Sequence, residues 1–399
     1  MGLVYPARFA VFKKPFEDVI TAENLIEIES IEDNLTTDSY RVISIPQKKL
    51  LEEGWGYPEN ITEEHKKAFK FSVGKYSGNK WGGKHLRAPD IFFTILEKGS
   101  QLIEKISEHF TGERYLNTGG ADGFFILTNV YEKEGGLFEI HNKKTTSKYP
   151  HIPFRGMIES AYLVPLIKDY TKINKKIDIY GFDAYCVVLN EDISSLKKRK
   201  VYEYIKWGEE QGYNNRSVTK NQNPWYKPTR QMLHSSQILI PRSFSDGYVI
   251  HHNPNNYLSL RFYRLHLKKG AAIYLWIAFL NSTYIWLVLE TLGNRNLGQG
   301  VLDFFMEDFL NLKIPIVLDD GLGLPLNKVR KRSIGSVFQE LGINPNQPIR
   351  SQQPNPLPDR KALDDVVFDI LGLTQAERDE IYWAVCELVR NRLEKAKSV

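Results

Sequence analysis

Apolar residues crowd most densely between Ala271 and Leu289, where the run is interrupted at its centre by Asn281, Ser282 and Thr283 and followed at once by Glu290. The stretch has nearly the length of a membrane span, but polar residues at the middle of a span carry a high insertion cost. It therefore predicts a buried helix, or two helices meeting at Asn281–Ser282, and no membrane. The helical pattern ends at Gly293, where glycine is a natural C-cap. A basic, glycine-rich loop follows, Gly293-Asn-Arg-Asn-Leu-Gly-Gln-Gly300, then a second short helix and a strand that stops at Pro315.

Elsewhere the pattern is mixed. Ala7–Phe12, Asn24–Ile31 and Tyr40–Ile45 read as short strands, the second from its apolar alternation. Ile95, Leu102, Ile103, Ile106 and Phe110 recur at helical spacing and predict one amphipathic helix from Thr94 to Phe110, despite Gly99. A turn-rich segment, Asn117–Gly123, leads into a predicted strand, Phe124–Thr128. A polar stretch around Asn142–Lys148 comes next, then a helical pattern from Glu159 to Lys168 that Pro165 disturbs. Asp178–Leu189 reads as strand; Ser236–Ser243 and Gly247–Ile250 read as paired strands, with Leu258–Phe262 as a third.

Past Pro325 the composition shifts. Asn344–Pro358 is rich in proline and polar residues, an extended linker or surface loop. Arg360–Leu371 and Gln375–Lys397 then form a helical hairpin broken at Gly372. Thr374-Gln-Ala-Glu377 is a capping box, and Ile381, Val385, Leu388 and Leu393 give the last helix an apolar face.

Size and composition narrow the class. The 399 residues suffice for two or three domains with real cores, and 42% hydrophobic with 25% charged residues is ordinary for a globular protein. A net charge of +5 is compatible with nucleic acid, but only clustering makes a phosphate-binding surface. Cys186 and Cys386 lie far apart among apolar neighbours, which suggests neither zinc nor a disulfide scaffold; the reducing cytoplasm is the expected compartment.

The clustered charge lies between Leu196 and Arg230, where Lys197-Lys-Arg-Lys200, Arg216, Lys220, Lys227 and Arg230 interleave with Tyr202, Tyr204, Trp207, Tyr213, Trp225 and Tyr226. Flat rings beside fixed positive charge can stack bases and neutralise phosphates, while aromatic core with a solvated cationic rim is the plainer alternative. Thr118-Gly-Gly-Ala-Asp122-Gly can bring backbone close to a phosphate or base edge because its glycines remove side chains; it lacks the Gly-Lys-Ser/Thr ending of a P-loop, and a structural turn is the alternative. Arg295 and Asn296, in the 293–300 loop, are side chains suited to reading guanine and adenine. His251-His252 beside Asn253-Pro254 has no Cys, Asp or Glu at ligand spacing, so a turn between strands is expected there.

No catalytic set emerges. Methylation of an exocyclic amine needs Asn or Asp followed by Pro-Pro and an aromatic residue. Asn223-Pro224-Trp225-Tyr226 has one proline, lies in a basic loop, and follows no glycine-rich cofactor loop. Glu64-His-Lys66 imitates the carboxylate and lysine of a metal-dependent nuclease but sits in a charged helical stretch, where solvated charge is the usual explanation.

Several segments, taken in order, resemble the C-terminal half of adenine-N6 DNA methyltransferases of the type II restriction-modification kind, in which one chain often carries modification and cleavage. Arg8–Phe12 is similar to the last strands of the methylase core, and Leu86-Arg-Ala-Pro89 with Thr118–Phe125 to the opening of the target-recognition domain. Glu159–Leu166, Trp225-Tyr226, Leu239-Ile-Pro-Arg242, Leu280-Asn-Ser282, Leu371–Thr374 and Arg392–Lys397 follow in the family's order. The resemblance implies an α+β protein: a strand-rich lead-in over residues 1–85, a mixed-sheet DNA target-recognition domain with peripheral helices over 86–325, and a linker with a helical pair over 326–399. It implies sequence-specific binding of double-stranded DNA, with Thr118, Asp122, Lys220, Trp225, Tyr226, Lys227, Arg230, Arg242, Arg295 and Asn296 as candidate contacts. S-adenosylmethionine and the methyl-transfer chemistry would belong to a catalytic domain or subunit outside this chain, which itself carries no cofactor, metal or catalytic motif. The alternatives are a diverged but complete methyltransferase using Asn223–Tyr226, and a non-catalytic assembly subunit.

Overall fold

Tyr40–Ile45 shows how the first part of the chain is built: in an extended segment successive side chains face opposite ways, so Val42 and Ile43 both end in apolar surroundings on opposite faces. The computed structural model describes residues 5–56, 64, 67, 72–76, 82–114, 116–142, 151–169, 175–268, 270, 272–297 and 300–397. Chain contacts divide it into two compact units, Met1–Phe93 with Thr291–Gly293, and Thr94–Glu290 with Asn294–Val399.

In the smaller unit Tyr40–Ile45 is the centre of an antiparallel sheet, flanked by Ala7–Phe12 and Leu35–Thr36, with Phe9 opposite Ile43. One face packs with Val19 and Ile28, the other with Leu50, Phe9 and Phe93. The predicted strand Asn24–Ile31 is instead a helix, Ala22–Ser30. Thr21 accepts a hydrogen bond from the Asn24 amide at 3.2 Å and so caps it; the helix buries Ile28 and leaves the alternating Leu25 and Ile26 exposed. Local capping and one good buried contact outweigh a two-residue period.

The larger unit is α+β, made of several small sheets. Val130–Lys133, Leu137–Asn142 and Phe154–Glu159 form an antiparallel meander. Leu163–Ile167 lies between Ala184–Val187 and Leu258–Ser259, with Ile126–Leu127 beyond. Phe262–Leu267 lies between Ile238–Pro241 and Phe110–Glu113, with His251–His252 at the far edge. Asn294–Leu297, Val301–Asp303 and Ser243–Phe244 make a fourth small sheet, and Lys313–Pro315 pairs with Ile103–Lys105.

Several predicted elements change type here. The single helix expected over Thr94–Phe110 is a helix Asp90–Lys98, a strand Ile103–Lys105, a helical turn Ile106–His109 and a strand Phe110–Glu113. Gly99 is where it breaks, packed so closely on Pro315 and Leu371 that a Cβ would lie 2.5 Å from Pro315 Cγ. Glu159–Lys168, read as helical, supplies the strand Leu163–Ile167, its apolar run satisfied by partners on both sides. Phe124 and Phe125 close a helical turn, Asp122–Phe125, before the two-residue strand Ile126–Leu127. His251–His252, expected as a turn, is a strand, whereas Gly247–Ile250 is not.

The apolar run is two helices, Ile273–Leu280 and Thr283–Leu292, bent by 62° where Asn281 and Ser282 intervene. Among the described residues no single helix is long and apolar enough to cross a membrane. Asn281 exchanges hydrogen bonds with the Ile250 backbone at 3.0 and 2.8 Å, and Asp364 caps the second helix through the Thr283 amide at 2.7 Å and hydroxyl at 2.6 Å. At the end of the second helix Arg87 donates to the carbonyls of Thr291 and Gly293. The short helix Met306–Leu310 and the strand to Pro315 follow as the sequence predicts.

Pro358–Ile370 and Gln375–Lys397 form the terminal hairpin, turning at Gly372 with φ +65°. The Thr374–Glu377 capping box is present, with the Thr374 amide 2.7 Å from Glu377 Oε2. The proline-rich segment before it is pinned: Ile349 is buried, and the Trp383 indole donates to the Gln352 carbonyl at 2.8 Å.

Candidate nucleic-acid interface

The basic middle segment begins with the helix Val201–Glu210, in which Val201, Tyr204, Ile205 and Gly208 fall on one face at helical spacing and are buried. Phe124, from the glycine-rich turn, lies parallel to Tyr204 with ring centroids 4.9 Å apart and meets Trp225 at 4.7 Å. Gly208 makes room for this, since a Cβ there would come within 2.8 Å of both Phe124 and Trp225. Trp225 donates from its indole to Glu209 at 3.2 Å. Tyr226 is buried and its hydroxyl donates to the Glu191 carbonyl at 3.0 Å, so its ring supports the loop from within. The interleaved aromatics therefore turn mostly inward.

The turn itself is held by its own polar groups. Asn117 Oδ1 accepts from the Gly119 amide at 2.9 Å, the Thr118 hydroxyl donates to the Asp122 carboxylate, and Ser217 donates to the Gly119 carbonyl at 2.9 Å. Gly119 has φ +62° and lies so close to Ser217 and Val218 that no side chain fits. Thr118 is buried, whereas Asp122 is exposed. The structure thus joins Thr118, Asp122, Lys220, Trp225 and Tyr226, from segments about a hundred residues apart, into one body. Lys220, Lys227 and Arg230 are exposed on it and make no ion pair among the described residues, and Lys197–Lys200 are exposed as well.

Arg242 and Arg295 belong to a second cluster. Asp303 lies opposite both Ser243 and Asn294 in the small sheet, and Arg242 Nε is 3.7 Å from its carboxylate. Arg295, half-buried, places Nη2 3.0 Å from the buried carboxylate of Glu290. The Asn296 side chain lies outside the described residues, as do His65 and Lys66 of the nuclease-like triplet.

Burial pushes the Tyr213 hydroxyl up to about 12, with Arg216 opposing, and raises Tyr204 and Tyr226 as well, so these phenols stay protonated. Burial also pushes the Cys186 and Cys386 thiols up to about 12, which leaves both inert at neutral pH. His252 contacts Asp178 at 2.9 Å, a carboxylate already held by Arg330 at 2.6 Å; among the described residues no group of His, Cys, Asp or Glu is arranged to hold a metal.

One feature was not visible in the sequence. Gly112, Glu113, Arg114, Arg230 and His234 line a depression of about 500 Å³. No spacing links residues 112–114 to 230–234. They meet because Phe110–Glu113 pairs with Phe262–Leu267 and Arg264 donates to the carbonyls of both Arg114 and His234.

Residues 117–333 match the family model for the C-terminal domain of the type II methyltransferase M.Eco57I. The chain belongs to this family. The match opens on the turn of Asn117–Gly123 and takes in both arginine-bearing clusters, so every candidate contact lies inside the matched region. No curated protein matches the chain in sequence. Among solved structures the fold is similar to that of the type IIG restriction endonuclease BpuSI, with a TM-score of 0.50 and 13% identity over 98% of this chain. The chain spans 41% of that enzyme's length. Residues 117–333 thus place the chain in the family of the type II methyltransferase M.Eco57I C-terminal domain, and the chain shares the fold of BpuSI.

Proposed function

We propose that the chain binds duplex DNA sequence-specifically and presents a target adenine to a methyltransferase catalytic domain outside it, in the cytoplasm of a cell that runs a restriction-modification system. The observation that carries this reading is the junction of Phe124, Tyr204 and Trp225. It fixes a glycine turn against a loop whose aromatic residues point inward while Lys220, Lys227 and Arg230 stay outside, unpaired among the described residues. Exposed cations without internal partners are what a phosphate backbone needs, and a turn without side chains lets backbone amides approach it.

The same geometry argues against methyl transfer by Asn223–Tyr226. A flipped adenine stacks on an accessible ring beside two hydrogen-bond acceptors, yet Tyr226 is 2% exposed and its hydroxyl is engaged with Glu191. The turn at Gly119 is filled by Ser217 and Val218, which leaves that turn no cradle for S-adenosylmethionine. We assign the cofactor to the catalytic domain that the family implies.

Titrating labelled duplex at several salt concentrations tests the proposal. Affinity falls steeply with salt if phosphates are bound, and the Lys220→Ala, Lys227→Ala double variant flattens that slope by about 2. A salt-independent response removes DNA and favours an assembly subunit. Tight binding of S-adenosylmethionine by the isolated chain in equilibrium dialysis would instead restore the complete methyltransferase.

A further inference from the structure

We propose that the depression between Glu113–Arg114 and Arg230–His234 is a binding site for a single phosphate group of the DNA backbone, with Arg114, Arg230 and His234 as its ligands. The inference rests on the DNA-binding reading and goes beyond it, since two of the three ligands and the site itself were not among the candidate contacts.

Among the described residues Glu113 is the one carboxylate lining the depression, and it is already satisfied from inside the protein: His234 Nδ1 is 2.8 Å from Oε1, and the buried Arg264 and the half-buried His266 each lie 3.4 Å from Oε2. Burial alone would raise its pKa, but the hydrogen bond from His234 and the charge of Arg264 hold Glu113 below the usual carboxylate range. Its negative charge is consumed there and does not neutralise the rim. Among the described residues Arg114 pairs only with Glu307, at 3.2 Å, with side chains 70% and 80% exposed, a pair of the kind that contributes little. Arg230 has no ion pair among the described residues. Two guanidinium groups thus face a concave, solvated space with no fixed counter-charge of comparable strength, and arginine is the side chain best matched to phosphate oxygens.

His234 completes the set. An ionised carboxylate only accepts hydrogen bonds, so the contact with Glu113 places the imidazole proton on Nδ1 and leaves Nε2 as the second ring nitrogen. With Nδ1 committed to Glu113, Nε2 is the ring nitrogen left to meet a phosphate oxygen or its hydroxyl. The site is also rigid, because the buried guanidinium of Arg264 ties the two segments together through the Arg114 and His234 carbonyls. A fixed frame under exposed donors lowers the ordering cost of binding.

The test is a set of duplex titrations by fluorescence anisotropy over a series of salt concentrations, with two duplexes of unrelated sequence. Arg114→Ala and Arg230→Ala should each weaken both duplexes by the same factor and each lower the salt slope by about 1. Loss confined to one sequence would overturn the assignment to backbone phosphate. Full affinity and slope in both variants, with wild-type binding intact, would overturn the site while leaving the DNA reading standing. If the wild type binds neither duplex, the DNA reading fails. The depression is then judged by NMR of labelled histidine in the full chain titrated with inorganic phosphate: a saturable His234 shift that Arg230→Ala abolishes keeps a phosphate site, and no shift removes it.

Discussion

Arg392, near the end of the terminal helix, places Nη2 2.6 Å from Oε1 of Glu290, and both side chains are buried. The same guanidinium donates to the carbonyls of Ser245 and Gly300, and the Tyr248 hydroxyl donates to Glu290, so the pair closes a network spanning four segments. Removing one member of a buried pair leaves a desolvated charge, which costs about 3–5 kcal/mol. Arg392→Met should therefore lower the unfolding free energy by that amount in chemical denaturation, toward the smaller figure because Arg295 still faces Glu290. The double variant with Glu290→Gln should recover part of the loss, since it removes the orphaned charge; no recovery would mean that the backbone contacts of Arg392, and not the ion pair, carry the stability.

The pair also shows which parts of the fold the sequence makes legible. The break at Asn281–Ser282, the helix ending before Gly293, the helix Met306–Leu310, the strand to Pro315 and the Thr374 capping box are set by local signals, and they stand where the pattern puts them. Glu159–Lys168 and Thr94–Phe110 are set by partners far away in the chain, at Ala184–Val187 and at Lys313–Pro315, and their periodicity misleads. Charge partners are hidden in another way. Nothing in the loop of Arg295 shows that Glu290, in the preceding helix, is buried and lies 3.0 Å from the guanidinium. Tyr226 reads as surface because its burial depends on a carbonyl at Glu191.

Asp364 gives the capping of the second apolar helix a pH dependence. Burial pushes its carboxyl up to about 6, against Arg360 and the hydrogen bonds from Thr283. Unfolded, an aspartate titrates near 3.9, so the folded chain holds this proton more tightly. The contribution is fully present below about pH 4 and is lost as the pH rises through about 6. Asp364→Asn keeps an acceptor for the Thr283 amide and abolishes the titration. Relative to wild type, the variant should gain stability between pH 4 and pH 7, by roughly 2–3 kcal/mol. Urea denaturation of both proteins at a series of pH values measures it, and a pH-independent difference would show that Asp364 titrates as an ordinary aspartate.

Gly119 separates geometry from charge at the candidate interface. With φ +62° and Val218 N only 2.6 Å from where a Cβ would be, Gly119→Ala is strained both by its backbone and by its neighbour. A left-handed alanine costs roughly 1–2 kcal/mol before any clash. The variant should be less stable by at least that amount and should bind duplex DNA more weakly, because the turn and the 217–227 loop no longer seat together. Its salt slope should stay at the wild-type value, since no cation is removed. A change in slope would mean that the turn's own amides, and not its packing, neutralise phosphate.

Arg295 and Lys227, both candidate contacts on sequence grounds, should behave in opposite ways. Arg295 is half-buried with its guanidinium 3.0 Å from the Glu290 carboxylate, whereas Lys227 is exposed and unpaired among the described residues. Arg295→Ala should cost roughly 1–3 kcal/mol of stability, because a buried carboxylate loses a charged hydrogen bond, and should leave the salt slope of duplex binding unchanged. Lys227→Ala should change stability by less than about 0.5 kcal/mol, as an exposed substitution does, and should lower the slope by about 1. Denaturation and salt titration on the two variants decide the matter together. If Arg295→Ala flattens the slope as Lys227→Ala does, the guanidinium exchanges Glu290 for a phosphate when DNA binds, and the Asn294–Asp303 hairpin joins the DNA-contacting surface.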